Sequence, residues 1–290
     1  MEFKEKFKFY TDRFEKILSQ KLDGLNLSAP ERIILPMRYA VENGGKRIRP
    51  VLCYAVAEML GVSLEDADDI AVSIEMIHSY SLVHDDLPAM DNDDWRRGKP
   101  STHKKFGEAY GILAGDALLN FAFENMLGKE NIDNNYINAV RYVAKCAGYS
   151  GMIGGQALDI DADNIAKTEE NLYRIIENKT AKLIKAPIVA ASLIAGGKYK
   201  KELEEFGDFL GIMFQITDDI MDVSGSFKET GKTPEKDVKS GKLTAVSVFG
   251  LEKAQQLSEF YCENAKRCIK DIPNSEFLSQ FADTMFLRKS

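Results

Sequence analysis

Apolar residues recur along most of this chain at steps of three and four, the spacing that lines one face of an α-helix. Phe3, Phe7, Tyr10, Phe14, Ile17 and Leu18 begin the pattern and predict an amphipathic helix over 3–21. Residues 22–29 read as a loop, and Pro30 suits the first turn of a second helix running to about Glu42, which Gly44-Gly45 ends. Pro50 opens an apolar helix that stops before Gly61. Ser63, with Asp66 three residues on, predicts the cap of a helix through Ile70, Ile74, Ile77 and Leu82. Pro88 lacks an N–H and cannot continue that helix unkinked, so the chain leaves helical geometry near Leu87 in a bend able to return Asp91 toward Asp85.

Further helices are predicted over 106–127, 136–149, 168–195, 200–223, 243–270 and 275–288. Gly151, Gly154 and Gly155 break the pattern before a short piece at 156–160, and the polar stretch 224–242 reads as a loop. Nothing alternates with a period of two, and no repeat stands out. The expectation is an all-α chain: one large helical bundle around a central cleft, a single domain over 1–290.

Composition narrows the class. The 290 residues carry 44% apolar and 29% charged side chains, ordinary for a globular protein. The net charge of −7 and the lack of a basic tract exclude a nucleic-acid surface. Cys53, Cys146, Cys262 and Cys268 show no ligand spacing and are expected to be reduced thiols in a cytoplasmic protein. The acidic residues of the first eighteen positions argue against a signal peptide, and no apolar run is long enough to span a membrane.

Candidate chemistry lies in two acidic clusters. Asp85, Asp86, Asp91, Asp93 and Asp94 follow the apolar run and are followed at once by Arg96 and Arg97. Asp218, Asp219 and Asp222 end a second apolar run, Asp218 and Asp222 sharing a helix face. Carboxylates packed this closely repel one another unless something offsets their charge. Oxygen donors without paired Cys or His favour Mg2+, and forked guanidinium donors suit phosphate. The two clusters therefore read as facing walls of one metal–diphosphate site.

With these motifs the chain resembles short-chain trans-isoprenyl diphosphate synthases of the bacterial farnesyl diphosphate synthase type. The matching residues are Asp85-Asp86 with Asp91, and Asp218-Asp219 with Asp222. Around them stand Gly44-Gly45-Lys46-Arg47-Ile48-Arg49-Pro50, His78, Arg96-Arg97-Gly98, Gly115-Asp116-Ala117, Gly154-Gly155-Gln156, Lys179-Thr180 and Gly231-Lys232, in the family's order. The resemblance implies three Mg2+ ions held by Asp85, Asp91 and Asp218, with Asp86 in support and Asp219 and Asp222 acting through water. It assigns isopentenyl diphosphate to Lys46, Arg49, His78 and Arg97, and the allylic diphosphate to Arg96, Lys179, Lys232 and Lys242. Thr180 and Gln215 would turn oxygen dipoles toward a developing carbocation, and the enzyme would be a homodimer. Tyr80, five residues or about 7.5 Å of helix before Asp85, would floor the product tunnel and stop growth at C15, although Ser81 beside it is small. His84 and His103 read as structural.

Trp95 stands where the family has Leu, and Lys242-Leu243-Thr244-Ala245-Val246 where it commonly has Lys-Thr-Tyr-Pro. A geranylgeranyl diphosphate synthase is the alternative within the class. A catalytically silent subunit of a heteromeric synthase is the alternative outside it, although such a subunit would not need intact acidic clusters. A terpene cyclase would not need Lys46, Arg49 and His78.

Overall fold

The computed structural model describes residues 2–25, 30–224 and 242–287. They gather into two compact units, residues 1–54 with 63–133 and residues 55–62 with 134–290. As predicted, the fold is all-α apart from a two-residue ribbon.

The first unit holds α1 (Phe3–Leu25), α2 (Glu31–Glu42), the start of α3 (Ile48–Met59), α4 (Leu64–Asp85), strands β1 (Trp95–Arg96) and β2 (Lys99–Pro100), α5 (Thr102–Phe106) and α6 (Glu108–Leu127). Helix α1 runs past its predicted end at 21 because Leu22 extends the buried stripe of Tyr10, Phe14 and Leu18 by one more step of four. Helix α3 starts two residues ahead of Pro50, which fits inside a first turn whose N–H groups have no helical partner. Ser63 caps α4 as expected, its side chain accepting the Asp66 amide at 3.2 Å. Helix α4 buries Ile70, Ala71, Ile74 and Ile77 around much of its circumference and packs against α1, α2 and α6. A helix apolar on nearly every side belongs inside. One buried polar tie joins α1 to α4: Arg13 donates to Asp68 at 2.8 and 2.7 Å, and the Tyr54 hydroxyl donates to the same carboxylate at 2.7 Å.

The ribbon escaped prediction because it is too short to show alternation. Its turn places Arg97 at φ 54° and Gly98 at φ 75°, the pair of positive angles that suits a tight hairpin. The helix predicted over 106–127 is divided by Gly107, whose φ of 91° only glycine adopts without strain.

The second unit holds the end of α3, then α7 (Asn134–Ala147), α8 (Met152–Ile160), a 3-10 turn (Asp161–Asn164), α9 (Glu169–Ile175), a π-helical turn (Ile176–Ala181), α10 (Lys182–Ile194) and α11 (Lys200–Ser224). It closes with α12 (Ala245–Phe249), α13 (Leu251–Ile269) and α14 (Glu276–Phe286). Thr168 caps α9 through the Asn171 amide at 3.3 Å. Helix α11 packs against α10, the π turn and α13, and its Ile212 and Ile216 join a core with Ile175, Ile176, Ala181 and Ala254.

Three expectations are corrected here. Gly154 and Gly155 sit within α8 rather than before it. The helix over 168–195 is interrupted by the π turn, and the helix over 243–270 is divided at Gly250, φ 78°. The four cysteines are free thiols, and no described helix is long and apolar enough to cross a membrane.

Candidate active site

Helix α4 carries the first acidic cluster at its C-terminal end. The turn beyond it brings the Asp91 amide to the Asp85 carbonyl at 2.8 Å and the Asp93 amide to the Asp86 carbonyl at 3.1 Å. The predicted bend therefore returns the backbone of Asp91 to that of Asp85. Asp85 and Asp91 are half-buried, whereas Asp86 is 2% exposed. Arg96 grips Asp86 through Nε at 3.0 and 3.2 Å and through a shorter contact from Nη2. A two-pronged pair of this kind is strong as well as directional, and it engages Arg96 with protein rather than leaving it extended toward solvent.

Beside this motif lies a basic group. Arg97 donates to the Gly44 carbonyl and lies so close over Gly45 that a Cβ there would stand 2.7 Å from the guanidinium carbon. Burial, with Arg47 and Arg96 nearby, draws the Arg97 guanidinium below its ordinary value, and Glu75 and Asp86 oppose that effect. His78 keeps an edge toward solvent, yet its ring lies deep among protein atoms. Burial, followed by the charges of Arg49, Arg97, Arg96 and Arg47, holds it well below its usual 6.5, so the imidazole is neutral. The structure thus brings together His78, Arg49 and Arg97, with Lys46 exposed on the preceding loop. Arg47 is committed to the fold: it donates to Glu15 at 2.7 Å, to the buried Glu75 at 3.1 Å and to the Val41 carbonyl at 2.8 Å.

Tyr80 is 5% exposed and meets His84 edge to face at 5.9 Å. Burial and the Asp85 charge push its phenol up to about 12. His84 Nε2 donates to the Ile112 carbonyl at 2.9 Å and leaves no space for a Cβ at Gly115, which is what that glycine is for. His103 is buried against Ser101 at 3.0 Å. His84 thus ties α4 to α6, and His103 packs beside Gly111 of α6.

In the second unit, α8, the π turn and α11 form the other group. A Cβ on Gly155 would lie 2.1 Å from the Lys179 backbone nitrogen, so the glycine lets α8 and the π turn touch. One helical turn further along α8, Asp159 pairs with the Lys179 side chain. Thr180 donates to the Gln215 side-chain oxygen at 2.7 Å, and the Gln215 amide donates to Asp219 at 2.8 Å. The other Asp219 oxygen accepts the Ala245 amide at 2.7 Å, leaving Asp219 5% exposed between Asp218 and Asp222, both half-buried. Lys242 is half-buried, and Lys232 lies outside the described residues.

The polyprenyl synthetase profile matches residues 30–275. This chain belongs to the polyprenyl synthetase family. It is 42% identical over 246 residues to the farnesyl diphosphate synthase of Micrococcus luteus, covering 84% of each chain. It is also 42% identical over 254 residues to heterodimeric geranylgeranyl pyrophosphate synthase large subunit 1 of Arabidopsis thaliana, covering 84% of this chain and 68% of that one. Among solved structures it matches a geranyltransferase from Helicobacter pylori complexed with magnesium and isoprenyl diphosphate. The TM-score is 0.86 at 33% identity, over 97% of both chains.

Polyprenyl synthetases use a divalent metal, and the donor chemistry here fits one. Asp85, Asp91 and Asp218 offer hard carboxylate oxygens at half-exposed positions, while Asp86 and Asp219 are taken up by protein donors. Among the described residues the three-donor group within common reach is Cys262, Glu263 and Asp283, and there Lys266 already bridges both carboxylates at 2.6 and 2.9 Å. One or two carboxylates from each motif suit Mg2+, which completes its shell with substrate phosphate and water. An open hollow of about 970 Å3 between α13 and α14 contains none of the predicted site residues.

Sequence reasoning missed Asp159, and it quoted Arg47 within the motif without its ties to Glu15 and Glu75. The spacing of Asp159, four residues after Gly155 and so on the same face of α8, was the available signal.

Proposed function

We propose that this chain is a farnesyl diphosphate synthase, joining isopentenyl diphosphate head-to-tail first to dimethylallyl and then to geranyl diphosphate. It would act as a cytoplasmic homodimer with three Mg2+ ions. Its membership of a prenyltransferase family supports the reaction class. The buried ring of Tyr80, five residues before Asp85 on α4, carries the choice of product length.

In this reading Asp85, Asp91 and Asp218 hold metal, which when bound neutralises the charge of the departing diphosphate. Lys46, Arg49, Arg97 and neutral His78 hold isopentenyl diphosphate. Lys179, oriented by Asp159, serves the allylic diphosphate together with Lys232, Lys242 and Arg96 once Arg96 turns from Asp86. Thr180 and Gln215 present oxygen dipoles to positive charge developing on the allylic carbons, an arrangement worth several kcal/mol of barrier when preorganised. The double bond of isopentenyl diphosphate attacks that carbon, and loss of a proton completes the five-carbon extension.

A geranylgeranyl diphosphate synthase is the second reading, supported by Ser81 beside Tyr80 and by the relative of that name at 42% identity. The test is incubation of the purified protein with Mg2+, isopentenyl diphosphate and each allylic starter, with chromatography of the products. C15 is expected from the wild type, and Tyr80→Ala is expected to add at least one further five-carbon unit. A C20 wild-type product would favour the second reading, and no elongation would favour a silent subunit.

A further inference from the structure

We infer that Asp219 is a positioning residue that fixes the polarity of a hydrogen-bond chain ending at Thr180. The inference rests on the prenyltransfer reading above. Four groups of the second unit are joined in series: the Ala245 amide to one Asp219 oxygen at 2.7 Å, the other Asp219 oxygen to the Gln215 amide at 2.8 Å, and the Gln215 oxygen to the Thr180 hydroxyl at 2.7 Å.

The ends of this chain decide its direction. A backbone N–H can only donate, and an ionised carboxylate can only accept. Asp219 must therefore face the nitrogen of Gln215, which turns the Gln215 oxygen toward Thr180. Thr180 must then give its only proton to Gln215. Its two lone pairs are left outward, with no hydrogen among them. A hydroxyl held in this sense presents negative electrostatic character to a carbocation, whereas a freely rotating one would turn its dipole with each solvent fluctuation. The buried carboxylate also polarises each bond in the series, so the Thr180 oxygen is more electron-rich than an isolated hydroxyl.

The anchor for this arrangement is distant in sequence. Ala245 is the first residue of α12, and its amide is one of the orphan donors of a helix start. Thr244 and Ser247 fix that start by a reciprocal cap, with bonds of 3.1 and 2.9 Å. Asp219 takes the donor they leave over. The N–H belongs to the backbone, so any residue other than proline at 245 can close the chain.

Asp219→Asn reverses the polarity without changing the shape. The Ala245 amide still donates, so the asparagine oxygen must face it and the asparagine NH2 must face Gln215. Gln215 then flips, its nitrogen donates to Thr180, and the Thr180 proton points outward. With geranyl diphosphate, isopentenyl diphosphate and Mg2+, kcat is expected to fall roughly ten- to a hundredfold, short of the hundred- to thousandfold for removing a direct dipole. Both KM values are expected to stay within about threefold, because no binding contact is lost. In a Thr180→Val background the same change is expected to cost less than about threefold, since there is no hydroxyl left to orient.

An unchanged kcat in Asp219→Asn, or an equal loss with and without Thr180, would overturn the inference. So would a loss confined to KM. Hydrogen exchange of the Ala245 amide supplies a readout that needs no turnover: protection retained in Asp219→Asn and lost in Asp219→Leu is expected, and protection indifferent to both variants would remove the anchor. A wild type that elongates nothing would instead defeat the prenyltransfer reading.

Discussion

The two acidic motifs look alike in sequence and are handled differently. At the end of α4, Asp86 is buried and answered by a full charge, the two-pronged guanidinium of Arg96. On α11, Asp219 is equally buried, and an amide side chain and the backbone N–H of Ala245 donate to it. In both places the second aspartate of the pair is bonded to protein donors, and Asp85, Asp91, Asp218 and Asp222 around them are half-buried. In each Asp-Asp pair the second residue is the more deeply buried of the two.

Removing the working carboxylates should erase the difference. Asp85→Ala and Asp218→Ala are each expected to lower kcat by about a thousandfold, several kcal/mol of lost charge neutralisation, measured under saturating Mg2+. If one of them retains activity, the motifs are not equivalent partners in one reaction.

Removing the answering groups should expose it. Arg96→Ala takes the forked guanidinium away from a buried carboxylate, so about 3 kcal/mol of stability is expected to go. Gln215→Ala removes one neutral hydrogen bond to Asp219 and is expected to cost about 1 kcal/mol. Denaturant unfolding of both variants checks the order, and a larger loss in Gln215→Ala would reverse it.

A smaller effect separates the two units by pH. His78, among arginines of the first unit, is held neutral below its ordinary 6.5, so the unfolded chain takes up a proton that the folded chain refuses. Stability from this source is complete above pH 6.5 and declines as pH falls below it, by at most about 1.4 kcal/mol per pH unit. Unfolding midpoints of wild type and His78→Gln, compared at successive pH values, should converge toward acid; parallel curves would assign the loss to carboxylates instead.

The fold was largely legible because helix periodicity reports burial directly, as α1 and α4 illustrate. What escaped depended on neighbours that sequence does not display. Gly155 looks like a helix breaker until Lys179 is seen 2.1 Å from where its Cβ would be. Gly107 and Gly250 end helices at ordinary-looking positions because the chain turns there with φ of 91° and 78°. At the site, the residue types named Asp85, Asp91 and Asp218 as carboxylates in need of a counter-charge. They gave no hint that Arg96 was already engaged or that Asp219 reaches Ala245, 26 residues on.

The π turn at 176–181 has one residue more per turn than its neighbours. Everything before it is therefore swung by about 100° about the helix axis relative to an uninterrupted helix. Excising a single amino acid there would aim Lys179 or Thr180 at a different compass bearing while barely disturbing composition. Evolution can retarget this surface by insertion and deletion, a change that surveys of substitutions alone would never sample.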